Sequence, residues 1–143
     1  MSVAETRDKV QRILTKYLGS IMVVADGDFQ VQHGSTACAI SVRDWGDGHT
    51  LVRLMAPVLR DAPASPELFR WVTTEGQYYR FGTMTAVEHD DGTVDLYFDH
   101  TLLGTFLDED ELMVAFGAVI TTADALDDEL EERFGGKKLF DVE

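Results

Sequence analysis

Four histidines, one cysteine and 26 carboxylates are the groups in this sequence that could move protons, attack a carbonyl or hold a metal. His33, His49, His89 and His100 contain no pair at the spacing of a helical zinc motif. Asp99-His100 comes nearest to an acid–base pair. Neighbours on a strand point to opposite faces, so the two cannot easily act together. Val94, Leu96 and Phe98 share the face of His100, which puts this histidine at a strand end on the rim of a core. Cys38 alternates with Ile40 and Val42 and has no charged neighbour in sequence to lower its pKa. It reads as a small core residue, not a nucleophile. A lone cysteine also excludes an internal disulfide and a cysteine-based zinc site. There is no glycine-rich phosphate loop and no G-x-S-x-G elbow. The expectation is a protein with no catalytic residue, no metal and no cofactor.

What remains is surface. Twelve basic residues against 26 acidic ones leave a net charge of −14. Such a field repels phosphate backbones and anionic headgroups, so neither a nucleic acid nor a membrane is expected as a partner. It suits a basic or amphipathic polypeptide. No apolar run approaches the ~18 residues of a membrane span, and the charged N-terminus lacks the core of a signal peptide. The expected address is the cytoplasm. With 143 residues, 45% of them hydrophobic, one domain with a real core is expected. Residues 1–136 are assigned to that domain and 137–143 to a short C-terminal tail.

The elements that must position any site follow from pattern. Ser2 and Glu5 form the signature of a capping box. Val10, Ile13, Leu14, Tyr17 and Leu18 recur at helical spacing, and Gly19 ends the helix. Three strands are expected next: the region from Ile21 to Gln32, one through Cys38–Arg43, and Leu51–Leu59. Asp26-Gly27, His33-Gly34-Ser35 and Asp47-Gly48 supply turns. Ser65-Pro66 opens a second helix ending near Gly76. Strands over Tyr79–His89 and Thr93–His100 flank Asp90-Asp91-Gly92. A last helix runs from the cap Asp108 to Gly135-Gly136, about 40 Å long, with Gly117, Thr121 and Thr122 as places where it could bend. The order is α-β-β-β-α-β-β-α, an α+β domain with a mostly antiparallel sheet packed against helices.

Candidate contact residues are those whose core role is not obvious. Trp45 stands beside a glycine-rich turn. The strand ending at Leu59 is apolar on both faces, so one face is either covered or waiting for a partner. Phe69 and Trp71 lie at opposite edges of a short helical arc, so one of them could face away from the sheet. Asp127, Asp128 and Glu131 lie in the acidic stretch "ADALDDELEERFGG". Carboxylates in a last turn oppose the helix dipole, so helix stability does not account for them. They are either a solvated face or a docking surface for a basic segment.

Four segments, "APVLRDAPASPELFRWV", "DHTLLG", "LDEDELMVA" and "TTADALDDELEERFGG", occur in order between Asp26 and Gly136. Together they resemble the bacterial YbjN-like branch of the type III secretion chaperone-like superfamily. The resemblance implies the same α-β-β-β-α-β-β-α fold and a non-catalytic, peptide-binding or chaperone-like role. It also implies a homodimer, and it identifies no catalytic residue. A role in secretion does not carry over. The leading expectation is thus a chaperone-like protein that holds a polypeptide client. The alternatives are a small-molecule binder or enzyme whose site is assembled from distant residues, and a purely structural dimeric subunit.

Overall fold

A computed structural model describes residues 1–140. Helix α1 (Val3–Leu18) carries the expected capping box, with Ser2 Oγ accepting from the Glu5 N–H and Glu5 Oε1 accepting from the Ser2 N–H, each at 3.1 Å. The chain then builds β1 (Met22–Val23), β2 (Phe29–His33), β3 (Thr36–Gly46) and β4 (His49–Pro63). Helix α2 (Pro66–Thr73) is capped by Ser65, and a 3-10 turn at Glu75–Gln77 follows it. Strands β5 (Thr83–Glu88) and β6 (Thr93–Leu103) lead to α3 (Glu109–Phe134), whose cap Asp108 accepts from the Glu111 N–H at 2.8 Å.

All pairings among the six strands are antiparallel, in the order β1-β2-β3-β4-β6-β5. This is the α+β architecture read from the sequence, with one strand more. The strand region from Ile21 to Gln32, with its expected turn at Asp26-Gly27-Asp28, resolves into two paired strands, because Asp26 and Gly27 both take a positive φ and reverse the chain between them. The tight β3–β4 turn also has positive φ at both Asp47 and Gly48, the conformation that matches strand twist. The fifth strand starts at Thr83, not Tyr79. Gly82, at φ +98°, lies where a Cβ would collide with the Phe98 ring.

Alternation along the strands sends Ile40, Val42, Val52, Leu54, Leu96 and Phe98 to one face, where all are buried. The helices cover that face. Helix α3 lies chiefly across β4 and also touches β2, β3 and β6. Its 26 residues form one uninterrupted helix about 39 Å long. Gly117 and Thr121 do not break it, since the Thr121 hydroxyl donates to Gly117 O at 2.6 Å within the helix. Among the described residues no helix lies on the other sheet face.

Two expected contact residues are core residues. Leu59 is fully buried, because bulges between Pro57 and Ala62 rotate it onto the helix side opposite Leu96. Trp71 is only 5% exposed and packs edge-on against Phe134. The sequence could not decide which of Phe69 and Trp71 turned inward; the structure leaves Phe69 half-buried at the margin. Trp71→Ala should therefore lower unfolding free energy by about 3–5 kcal/mol, as truncation of a core aromatic does. Urea unfolding checks this, and a loss under about 1 kcal/mol would contradict the core placement.

Candidate functional site

Chemistry is poorly served by the side chains that could perform it. Cys38 is buried, and burial pushes its thiol up to about 12. Asp99 and His100 do point apart. Asp99 pairs with Arg53 at 2.6 Å on the open face, while the His100 ring packs against Phe81. One His/Asp cluster was not foreseen: Asp61, His89 and Asp95 gather at the ends of β4, β5 and β6. Asp95 is the hub of it. His89 Nε2 lies 2.9 Å from Asp95 Oδ2, and the Asp61 N–H donates to Asp95 Oδ1 at 2.9 Å. The Asp95 hydrogen bond raises the His89 pKa.

The feature that stands out is a groove. The stripe of α1 that buries Val10, Ile13 and Leu14 ends at the groove with Leu18, 37% exposed. The middle of α3 presents Phe116 and Ile120 to the same space, and Ile21, Met22 and Val31 complete its apolar lining. The volume is about 610 Å³, with Ser20, Gln30, Gln32 and His33 as polar rim. Met22, on β1, is 62% exposed.

A sheet edge runs beside this groove. Strand β1 pairs only with Phe29 and Gln30, whereas β3 pairs with all five residues of β2. Val31, Gln32 and His33 thus have no strand on their outer side among the described residues. At the far edge of the sheet the arrangement differs. The 3-10 turn after α2 sits against β5, and Gln77 Nε2 donates to Met84 O at 3.1 Å and to Val72 O at 3.0 Å.

The sequence-derived candidates do not form one site. Trp45 is 67% exposed at the β3–β4 tip, and Leu59 and Trp71 are internal. Asp127 is 1% exposed and packs onto Ser35. It occupies the helical stripe Phe116-Ile120-Ala123-Asp127-Leu130-Phe134, a spacing that marks it as inward-facing. Asp128 and Glu131 do hold a basic segment, but it belongs to this chain: Lys138 Nζ bonds Asp128 Oδ1 at 2.6 Å, and the Lys138 N–H donates to Glu131 Oε2 at 3.2 Å. Residues 137 and 138 are tied further, since Lys137 bridges Arg60 through both backbone groups and Lys138 O faces the Arg60 guanidinium. The groove itself was not read from the sequence, because Leu18, Val31 and Phe116 are remote in the chain. The available signal was a helical stripe longer than the sheet beneath it.

Comparison with known proteins gives a consistent picture. The family model described as T3SS (YopN, CesT) and YbjN peptide-binding chaperone 1 matches residues 4–142. The structure resembles that titled "Crystal Structure of the ExsC-ExsE Complex", with a TM-score of 0.61 and 15% identity over 85% of this chain and 93% of that one. It also resembles the structure of YbjN, titled a putative transcription regulator from E. coli, with a TM-score of 0.58 and 13% identity over 89% and 93%. At such identities the two likenesses speak for the fold. No curated protein sequence matches.

The burial of Cys38 gives a direct check. Its thiol should react with an aromatic disulfide reagent at least a hundredfold more slowly in the native protein than in denaturant. Comparable rates would place the thiol at the surface.

Proposed function

This chain belongs to the family of T3SS and YbjN peptide-binding chaperones, and on that premise we propose that it holds an extended polypeptide segment in the groove between α1, β2 and α3. One observation carries the reading: an unpaired strand edge, Val31–His33, borders an apolar groove. A client laid along that edge would gain backbone hydrogen bonds. Its alternate side chains would enter the groove toward Leu18, Phe116 and Ile120. Such binding reads pattern more than identity, which suits a chaperone. The net charge of −14 favours a segment with basic flanks, mostly by speeding encounter.

Two further parts belong to this reading. The protein acts by binding and not by catalysis, which the raised pKa of its one thiol supports, and its address is cytoplasmic. It works as a homodimer joined through the uncovered sheet face. Leu51, Met55, Pro57, Tyr97, Leu103 and Val87 give that face an apolar character. Arg53 pairs with Asp99 and Arg43 with Asp28 on that face, and its remaining carboxylates Asp61 and Asp95 gather beside His89 at one end. Two strongly acidic copies meet least repulsion there. Strands β2 to β6 have 5, 11, 15, 6 and 11 residues, which at ~3.3 Å by ~4.8 Å per residue offer on the order of 800 Å², the area each partner of a stable interface buries.

Peptides selected from a random twelve-residue library against the protein provide the probe. Bound peptide should shift the NMR signals of Gln30–His33, Met22, Phe116 and Ile120. The double variant Leu18→Asp/Met22→Asp should weaken it about tenfold or more while unfolding within a few degrees of wild type, since both side chains are partly exposed. Alternate N-methylation of the peptide should abolish binding. Shifts confined to the open sheet face would refute the groove as the site.

The dimer is read separately. Sedimentation equilibrium at micromolar concentration should give twice the monomer mass, and Met55→Glu should return the monomer. A wild-type monomer throughout that range would remove the dimer from the reading and leave the groove standing.

A further inference from the structure

Ser35, in the turn between β2 and β3, is where three remote segments meet. Its N–H donates to Asp124 Oδ1 at 2.9 Å. Its carbonyl accepts from the Phe140 N–H at 3.0 Å. Its hydroxyl lies 2.9 Å from Asp124 Oδ1 and is also in hydrogen-bond contact with Asp127 Oδ2. Both aspartates stand on α3, one turn apart. Asp127 is buried, and its Oδ1 has no hydrogen-bond partner among the described residues.

The hydrogens in this cluster can be counted. A serine hydroxyl carries one hydrogen, and ionised carboxylates carry none. With both aspartates ionised, the hydroxyl could serve only one of them. The other oxygen would face it lone pair to lone pair, inside the protein, with a negative charge behind it. Neither a buried unpaired charge nor an unmade hydrogen bond is tolerated cheaply there. One additional proton on Asp127 resolves both faults.

We infer that Asp127 keeps its proton in the folded protein and donates it to the Ser35 hydroxyl, which donates its own to Asp124, so that one proton completes a clamp of the β2–β3 turn onto α3. Burial is the main cause that raises the Asp127 carboxyl above the usual carboxylate range. The Ser35 N–H is the main cause that holds Asp124 below it. The surrounding charges are divided. Asp128 and Asp124 of α3 favour the protonated form, while the Ser35 hydroxyl, where it donates to Asp127, and Lys138 of the C-terminal segment oppose it; Glu131 is occupied by the Lys138 N–H. His33 at the end of β2 approaches Asp124, 4.0 Å away, and Arg60 of β4 turns to the carbonyls of Lys138 and Leu139.

The sign follows from the raised value. The share of the clamp that Asp127 contributes is complete below the pKa of an unfolded aspartate, about 3.9, and is lost as pH rises through its folded value, whereas the share of Asp124, whose value is lowered, is complete above about 3.9 and is lost as pH falls through its folded value. Gln32 and His33 precede the clamped turn and form part of the groove wall, so client retention should loosen over the same range. That last consequence rests on the groove reading; the clamp does not.

The test needs no client. Carboxyl carbon NMR should show Asp127 titrating well above, and Asp124 below, the ordinary value of about 3.9. Protection of the Ser35 amide from hydrogen exchange, corrected for intrinsic rate, should fall by up to tenfold per pH unit between about 3.9 and the Asp127 midpoint, then level. In Asp127→Asn the side-chain amide donates without a proton to lose, so protection should stay flat. Ser35→Ala discriminates independently of that variant. If Asp127 donates to Ser35, its midpoint should fall when the hydroxyl is removed; a rise would show that it accepts instead and overturn the inference. An Asp127 midpoint at or below that of Asp124 would overturn it as well.

Discussion

Helix α3 presses one stripe of side chains onto the middle of the sheet, chiefly onto β4. Leu112, Ala115, Val119, Ala123 and Leu130 are all buried in that stripe. The other arrangements follow from where this contact fixes the helix. Phe116 and Ile120 overhang the β2 edge and form the back of the groove. Asp124 and Asp127 reach the turn after β2, and Asp128 and Glu131 hold the returning C-terminal segment. A helix of 26 residues loses much chain entropy, and the burial of this stripe is what offsets it. The polar fastenings select a register along the helix; they contribute little to the driving force.

The helices occupy one side only, and this divides the surface into unlike regions. Most of the surplus carboxylates sit on helices and turns, where water solvates them. On the sheet face away from the helices Arg53 pairs with Asp99 and Arg43 with Asp28. A net charge of −14 therefore describes the whole and misdescribes that part. Long-range repulsion keeps such molecules apart in general while leaving one face on which contact is not penalised.

Much of the fold was legible in the sequence because local rules governed it. The caps at Ser2, Ser65 and Asp108 and the turn at Asp47-Gly48 form as their chemistry dictates. Strand alternation correctly separated Asp99 from His100. The readings that gave way depended on tertiary context. Two bulges in β4 turn Leu59 inward; Pro57, which cannot donate to a ladder, favours the first of them, but its residue type does not say which way Leu59 then points. Asp127 is an aspartate at an apolar position of its helix: its residue type points to the surface, and its spacing, which decides, points inward. The groove was invisible for a different reason. It exists only where two helices overhang a sheet edge, and neither helix records in its own sequence where the sheet stops.

The two sheet edges are not equivalent, and this bears on how far the sheet could be extended. Continuous growth, in which each molecule offers its last strand to the receptive edge of the next, requires both edges to be open at once. Here the β2 side is open over Val31–His33. On the β5 side a glutamine already holds the Met84 carbonyl and, through the same amide, the end of α2. A molecule donating β5 would have to surrender the bond at Met84 and displace the turn that packs on this edge. A short free segment carries no such stopper. The edge can thus accept a strand from elsewhere and resist one of its own kind, and the chain achieves this without the lysine or proline by which many exposed strands are guarded against fibre formation.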